Sequence, residues 1–472
     1  MAQSYEMVVG LEVHIELKTQ TKIFCSCPTA FGAEPNTQCC PVCTGMPGAL
    51  PVLNQQVVDY AIKAGLATHC SIAPYSKQDR KNYFYPDLPK AYQISQYDLP
   101  LCAGGYLDIE GPQGSKRVGI TRIHIEEDAG KLVHDPQLGT LIDCNRCGVP
   151  LIEIVSEPDI RSAQEAVSYL KKLRAIILYT GISDCRMNEG SMRCDVNLSV
   201  RPAGSGALGT RTEIKNLNSF QFVQRAIEYE YQRQVEAVSR GEAVVQQTLR
   251  FDQASGRTFP MRGKEDAHDY RYFPDPDLPP VVTCAEQLDR LKAQIPMLPD
   301  QRKALYRERY GLSPLACEAL VTGAQTAGYF EEAAALCRYP RLLGNLITTE
   351  AYRLMDGEDS AIPIAPLHMA QLADMLGDEA ISSSTAKRAL AGLWQADQDP
   401  RDWVLAHDLM QINDPARLIP VVEAVLAQEG QLAARYRSGK ANALQALTGK
   451  AIAATGGKGN PAVLQRLLKE RL

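Results

Sequence analysis

Arg122-Ile123-His124-Ile125-Glu126-Glu127-Asp128-Ala129-Gly130-Lys131 is the stretch around which the remaining sequence organises. It begins as an alternating strand, with Ile123 and Ile125 pointing one way and Arg122, His124 and Glu126 the other. It ends in three consecutive acids followed by Gly-Lys. Three adjacent carboxylates repel one another, so they need either full solvation or a hard cation. Magnesium, held by a few carboxylates plus substrate phosphates, is the usual such cation. A single acidic triplet is more often a solvated turn after an edge strand. The other strand-like segments shift that balance, because several of them also carry acids on one face.

Residues 5–17 form one such segment. Leu11, Val13 and Ile15 alternate with Glu12, His14 and Glu16, so the three polar side chains share a face. In Leu151-Ile152-Glu153-Ile154-Val155 an acid sits within an apolar run, where it is costly unless paired or ligating. Arg193 to Val200 alternates with Asp195 on the polar side, and Thr210 to Ser219 carries Arg211, Glu213 and Lys215. Helical spacing marks about 55–68, 162–180 and 220–240. From about residue 285 helical patterns dominate, and Ser382 to Lys387 reads as a helix cap and start. The expected fold class is α+β, with a mixed or antiparallel sheet followed by helical domains. Boundaries are expected near 293 and, more softly, near 405, giving segments 1–293, 294–404 and 405–472.

Composition narrows the function classes. A chain of 472 residues is expected to make two to four domains. It has no apolar run of membrane-spanning length and no signal-like N-terminus, so a cytoplasmic protein is expected, with no membrane partner. The net charge is −5, but from Gln431 onward eight Lys/Arg face only Glu470, a local balance of +7. A basic terminal segment on an acidic body fits either contact with a phosphate backbone or a solubilising tail.

Fourteen cysteines are too few for a disulfide framework. Cys25-Ser26-Cys27 and Cys39-Cys40-Pro41-Val42-Cys43, joined by a short loop, combine CxC with CxxC. That pattern suits tetrahedral zinc on Cys25, Cys27, Cys40 and Cys43, with Cys39 spare. A four-thiolate site leaves no open position for chemistry, so the zinc is expected to be structural. Cys144-Asn145-Arg146-Cys147 is a second CxxC without a sequence partner, read as coincidence or core.

Collected, Glu12, His14, Glu126, Glu127, Glu153 and Asp195 make a basin for divalent metal, and Lys81, Lys131, Arg122, Arg193 and Arg211 could surround it with cations. Acids for magnesium and cations for phosphate oxygens are what ATP-dependent phosphoryl transfer requires. Hydrolysis at a carboxylate-rich metal site is the competing reading. The sequence has no GxxxxGK[ST] loop and no GxGxxG. Any nucleotide site therefore belongs to a fold in which sheet residues hold the phosphates. Arg80 to Lys90 interleaves basic residues with Tyr83, Phe84 and Tyr85, suited to phosphates and to stacking a base or tRNA end, or simply to burial in a loop.

Val9-Gly10-Leu11-Glu12-Val13-His14, Lys81-Asn82-Tyr83-Phe84-Tyr85-Pro86-Asp87, Ile120 to Lys131, Pro150 to Val155, Leu217-Asn218-Ser219-Phe220 and Asp269 to Pro280 resemble the B subunit of the tRNA-dependent amidotransferases (GatB). The resemblance runs in order from about residue 5 to 280 and continues weakly to the C-terminus. It implies a glutamine-synthetase-like catalytic domain and a heterotrimer with an amidase (the A subunit) and a small third chain (the C subunit). It also implies conversion of Glu-tRNA(Gln), and often Asp-tRNA(Asn), to the amidated forms, with ATP and Mg2+ phosphorylating the side-chain carboxylate. Ammonia, released in the amidase, then displaces the phosphate. The family's metal ligands are expected on His14, Glu127 and Glu153, with Glu12 adjacent. Strand alternation favours Glu126 over Glu127, so both are carried. Asp195 is a candidate for a second metal. Lys81 and Tyr83 are expected to handle phosphate or the tRNA terminus, and the tail resembles a YqeY-like tRNA-binding module.

Overall fold

In the computed structural model, residues 4–261, 269–355 and 360–472 are described, and they divide into two compact units, 1–298 and 299–472. The first unit is built on a nine-stranded sheet. In chain order its strands, with those of three small sheets, are β1 (Tyr5–Glu16), β2 (Ser71–Ile72), β3 (Tyr75–Ser76), β4 (Asp79–Asn82), β5 (Tyr92–Ser95), β6 (Cys102–Gly111), β7 (Gly114–Glu127) and β8 (Lys131–Asp135). They continue with β9 (Gly139–Asp143), β10 (Pro150–Ser156), β11 (Met192–Pro202), β12 (Thr212–Leu217), β13 (Thr248–Asp252), β14 (Arg257–Pro260), β15 (Phe273–Pro274) and β16 (Val281–Val282). The large sheet runs β14-β13-β12-β11-β1-β10-β7-β6-β2. Its pairings are antiparallel except β12 with β13, so the sheet is mixed.

The alternation read in the sequence decides which face is which. Val9, Leu11, Val13 and Ile15 on β1, Ile123 and Ile125 on β7 and Ile152 and Ile154 on β10 are fully buried in one core cluster. Three helices supply the other side of that core: α1 (Gln55–Ala67), α2 (Ala163–Thr180) and α3 (Phe220–Ser239). Each starts where an Asn or Ser side chain caps it, namely Asn54, Ser162 and Ser219, and α2 stops at Gly181 in the left-handed region. Tyr169, Leu173 and Ile177 of α2 are wholly buried against the sheet. Leu173 and Ile177 each contribute about 1.5–3 kcal/mol of burial free energy. The helices thus cover one face and leave the other to the polar residues.

The second unit is helical, as the loss of alternation after 285 leads one to expect. Several of its helices begin with proline at the first turn, among them Pro314–Leu320, Pro340–Thr349, Pro366–Gly377, Pro400–Ala406, Pro415–Gln428 and Pro461–Arg471. Ser382 caps the helix Ser383–Gln395 as read from the sequence. The unit has two hydrophobic cores, one spanning residues 306–404 and the other 418–468. Among the described residues no helix is long and apolar enough to cross a membrane.

Candidate functional site

Strand register gathers the polar residues into rows. Across β7, β10, β1 and β11 one row reads His124, Glu153, His14 and Arg193, each the Cα partner of the next. The next row along places Glu12 opposite Asp195. Glu126 lies two residues beyond His124 on the same face of β7. His14 Nε2 is 3.4 Å from Glu126 Oε1 and 3.5 Å from Glu153 Oε2. Ligand atoms of His14, Glu126 and Glu153 all lie within 4.8 Å of one another. One nitrogen and two carboxylate oxygens from three strands form an open-sided donor set that fits magnesium or manganese.

The charges on this face are strongly biased. Burial would strip the His14 ring of its proton, but its hydrogen bond to Glu153 and the charges of Glu126, Glu153 and Asp195 lift its pKa to about 9. Burial also opposes ionisation of Glu153, yet the His124 and His14 imidazoles and the Lys81 ammonium hold its carboxyl far below the usual range. A protonated His14 thus occupies the position between the two acids that a cation would fill.

A second group adjoins the first. Glu12, Asp195 and Glu213 also bring ligand atoms within 4.8 Å of one another. Asn197 Nδ2 donates to Glu12 Oε1 at 2.8 Å, and Lys215 Nζ lies 3.1 Å from Asp195 and 2.9 Å from Glu213. Burial and then the neighbouring Glu153 charge push the Glu12 carboxyl upward. Sequence reading found Glu12 and Asp195 but not Glu213. The register between β11 and β12 shifts at a bulge between Cys194 and Val196, and no local pattern announces such a shift.

Aromatic residues flank the first group. Tyr97 stacks on Tyr272 at 4.3 Å between ring centroids, and Tyr270 meets both Tyr83 and Tyr272 edge-on. Lys81 Nζ sits 4.7 Å from the Tyr270 ring centroid. Burial, and after it the Glu126 charge, raises the phenols of Tyr83 and Tyr272. The segment carrying Tyr270 and Tyr272 is fastened to β4, where Asn82 N donates to Tyr270 O at 2.9 Å and Arg80 binds Asp275 and Asp277 at 2.7 and 2.9 Å.

The structure corrects several sequence expectations. Glu127 does not join the metal-like group. β7 continues in register through Glu127, so its side chain turns to the opposite face. There its carboxylate pairs with Lys90 and accepts from Ile94 N at 2.8 Å, beside a small cavity also lined by Lys22, Phe24 and Cys43. Lys131 is exposed at the start of the β8–β9 hairpin, and Arg211 is exposed just before β12. Neither is brought to the cluster by any contact among the described residues. Arg193 reaches the face but clamps Asp128 at 2.6 Å. Arg122 is also there, with three of its N–H groups committed to Tyr97 O, Gln96 O and His124 Nδ1.

The cysteine loop is gathered separately. Sγ atoms of Cys25, Cys27, Cys40 and Cys43 lie within 4.8 Å of one another, and Cys39 is turned to Asn36 O. Hydrogen bonding from Cys25, with help from Lys22, draws the Cys43 thiol down to about 4, while burial and Cys40 push Cys27 up to about 11. With Lys22 wholly buried and its Nζ 3.5 Å from Cys43 Sγ, four converging sulfurs fit a cation that would displace thiol protons. The second CxxC has a structural partner. Lys22 Nζ donates to Cys144 O at 3.3 Å, and Asn36 and Asn145 tie the two loops together.

Comparison with known proteins identifies the family. A family described as the GatB/GatE catalytic domain matches residues 7–289, and one described as the GatB domain matches residues 328–472. The chain is 52% identical over 475 residues to the B subunit of the aspartyl/glutamyl-tRNA(Asn/Gln) amidotransferase of Caldicellulosiruptor saccharolyticus, covering 99% of both chains. It is 51% identical to that of Carboxydothermus hydrogenoformans, over 100% of this chain and 99% of the relative, and 50% identical to that of Geotalea uraniireducens, over 99% of each. Fold, site and these similarities define a tRNA-dependent amidotransferase subunit, part of an ATP-dependent ligase. Within that class the chain belongs to the GatB family, the lineage of the B subunits.

Proposed function

We propose that the polar face of the large sheet activates the side-chain carboxylate of glutamate or aspartate carried on tRNA(Gln) or tRNA(Asn), so that ammonia can replace one oxygen. A carboxylate does not accept ammonia, because it would have to expel an oxide. Attack of its oxygen on the γ-phosphorus of ATP releases ADP and gives an acyl phosphate. Ammonia then adds to the acyl carbon, phosphate leaves and a proton is lost, giving the amide.

The single observation carrying this reading is the convergence of His14, Glu126 and Glu153 beside Glu12, Asp195 and Glu213 on one face. His14, Glu126 and Glu153 would hold one Mg2+, and Glu12, Asp195 and Glu213 a second. The bound cations would neutralise charge on the phosphoryl oxygens during transfer. Lys81 is held against Tyr270 and near Glu153, where its ammonium can meet a phosphate. Tyr83, Tyr97, Tyr270 and Tyr272 offer ring surfaces for the terminal base of the tRNA. Glu127, paired with Lys90 on the other side of the strand, takes no part in holding Mg2+.

The reading extends to the rest of the chain. The architecture suits a glutamine-synthetase-like catalytic domain. Cys25, Cys27, Cys40 and Cys43 would hold a structural Zn2+. The sequence lacks a GGSS-type amidase run, so ammonia is supplied by a separate amidase chain, the A subunit, joined with a small C subunit in a heterotrimer. The basic segment from 405 onward, YqeY-like, would contact the tRNA backbone. The setting is the cytoplasm, where aminoacyl-tRNAs are made. The test is amidation of Glu-tRNA(Gln) and Asp-tRNA(Asn), side by side, by the co-purified complex with ATP, Mg2+ and glutamine. Conversion of at least one supports the reading, and conversion of neither overturns it.

A further inference from the structure

Arg122 and His124 stand two residues apart on the same face of β7. Arg122 Nε donates to His124 Nδ1 at 3.2 Å. A guanidinium has five N–H groups and no acceptor, so the imidazole nitrogen facing it must present a lone pair. A hydrogen on Nδ1 would point at the arginine N–H. The ring proton facing away from the guanidinium therefore sits on Nε2. His124 Nε2 lies 3.4 Å from Glu153 Oε2 and 3.8 Å from Glu126 Oε2.

The arginine is itself immobilised. Its Nη1 donates to Tyr97 O at 2.7 Å and its Nη2 to Gln96 O at 2.5 Å. Gln96 is 1% exposed. Its side-chain oxygen accepts from Ile125 N at 2.9 Å and Leu101 N at 3.3 Å, and its amide nitrogen donates to Ser76 Oγ and to Lys77 O. The guanidinium is thus fixed to a backbone corner that is stitched to the same strand carrying His124 and Glu126.

We infer that Arg122 is a positioning residue that locks His124 in its Nε2–H tautomer, and that His124 turns this N–H to Glu153 and orients that carboxylate toward the cation rather than acting as a ligand. The two histidines of the face then have different duties. His14 Nε2, between Glu126 Oε1 and Glu153 Oε2, is the nitrogen that a cation would take over from its proton. His124 Nε2 carries its proton toward Glu153 Oε2, 3.4 Å away. Groups of this kind orient metal-binding carboxylates and set affinity without touching the ion. The inference rests on the reading of His14, Glu126 and Glu153 as a divalent-cation site.

The test uses the full chain with 15N-labelled histidine, and Mn2+ as the probe. In the metal-free wild type, long-range 1H–15N correlation spectra are expected to show His124 protonated on Nε2 and bare on Nδ1. Mn2+ binding, followed by electron paramagnetic resonance, should weaken by roughly tenfold or more in Arg122→Lys. His124→Gln, whose amide reaches the Nε2 position, should keep affinity within a few-fold, whereas His124→Asn should lose it as Arg122→Lys does. A merely structural role would not separate the Gln and Asn variants. A wild-type His124 protonated on Nδ1 overturns the inference even if every variant misfolds, and so does wild-type Mn2+ affinity in a folded Arg122→Lys protein. No Mn2+ bound by the wild type would overturn the cation reading instead, leaving the tautomer to decide the lock.

Discussion

The cysteine group and the His14–Glu126–Glu153 group each converge within 4.8 Å, but they are assembled by different physics. The four thiols come from a single loop, Cys25 to Cys43, and turns bring them together. The imidazole and carboxylates come from β1, β7 and β10, with nearly a hundred residues between the first strand and the next, and only register aligns them. The thiol group holds its loops in place and offers no open position. The face group sets two acids around one imidazole beside a second acidic group of Glu12, Asp195 and Glu213, an excess of negative charge that a bound cation would relieve. The two regions should therefore fail differently when disturbed, the loop in stability and the face in activity.

The largest expected effect is on the face. Glu153→Gln, or His14→Ala, should lower amidation by on the order of 10²–10³-fold even when ammonium replaces glutamine. The melting temperature of Glu153→Gln should fall modestly, because the carboxylate is held by the His124 and His14 imidazoles and the Lys81 ammonium, while the loss of amidation should far exceed what that fall explains. Steady-state assays of the complex with free ammonium check this, and retained activity would remove these residues from the site.

The loop should show the reverse pattern. If the four thiols hold zinc as proposed, Cys40→Ser, or chelation, should release it and lower the melting temperature by about 5 °C, with a much smaller loss of amidation. Atomic absorption and calorimetry on the same samples decide it. A variant that kept its zinc, or that lost activity as fully as Glu153→Gln, would erase the contrast.

The two adjacent glutamates sharpen it further. Glu126→Gln should weaken Mn2+ binding by roughly tenfold, the scale of disturbed metal-site partners. Glu127→Gln should leave Mn2+ affinity unchanged but destabilise the protein by about 3 kcal/mol, since Lys90 is then buried beside a neutral amide. Titration calorimetry with Mn2+ and thermal melts on both variants separate the roles, and equal Mn2+ affinities would show that register does not divide them.

The smallest effect belongs to the second unit. Arg466 and Lys469 are exposed on the last helix. Replacing both with Gln should weaken tRNA binding only a few-fold and flatten the salt dependence by about one unit of slope for each phosphate no longer neutralised. Filter binding across a salt series measures it, and an unaltered slope would remove these side chains from the interface.

Much of the face could be read in the sequence because alternation is a local property. Glu12, His14 and Glu16 share a face whatever pairs beside them. Alternation selected Glu126, whereas family resemblance pointed to Glu127. β7 runs unbroken through both, so alternation agrees with the geometry. What stayed hidden depends on long-range pairing. Glu213 joins Glu12 and Asp195 through a bulged register. Tyr270 and Tyr272 arrive from nearly two hundred residues beyond Tyr83, held by Asn82 and Arg80. Cys144 and Cys147 look isolated in the sequence because their loop is tied by Asn36 and Lys22, which are not cysteines. Arg122, read as a free phosphate-binding cation, is largely engaged with carbonyls and an imidazole, which spacing alone does not reveal.

The central claim is that this face makes an acyl phosphate, and oxygen transfer tests it most directly. Glu-tRNA(Gln) or Asp-tRNA(Asn) with 18O in the side-chain carboxylate is amidated by the complex in unlabelled water, and the inorganic phosphate is analysed by mass spectrometry. The account predicts one 18O atom in the phosphate for each amide formed. Phosphate free of the label, with amide still produced, would contradict it.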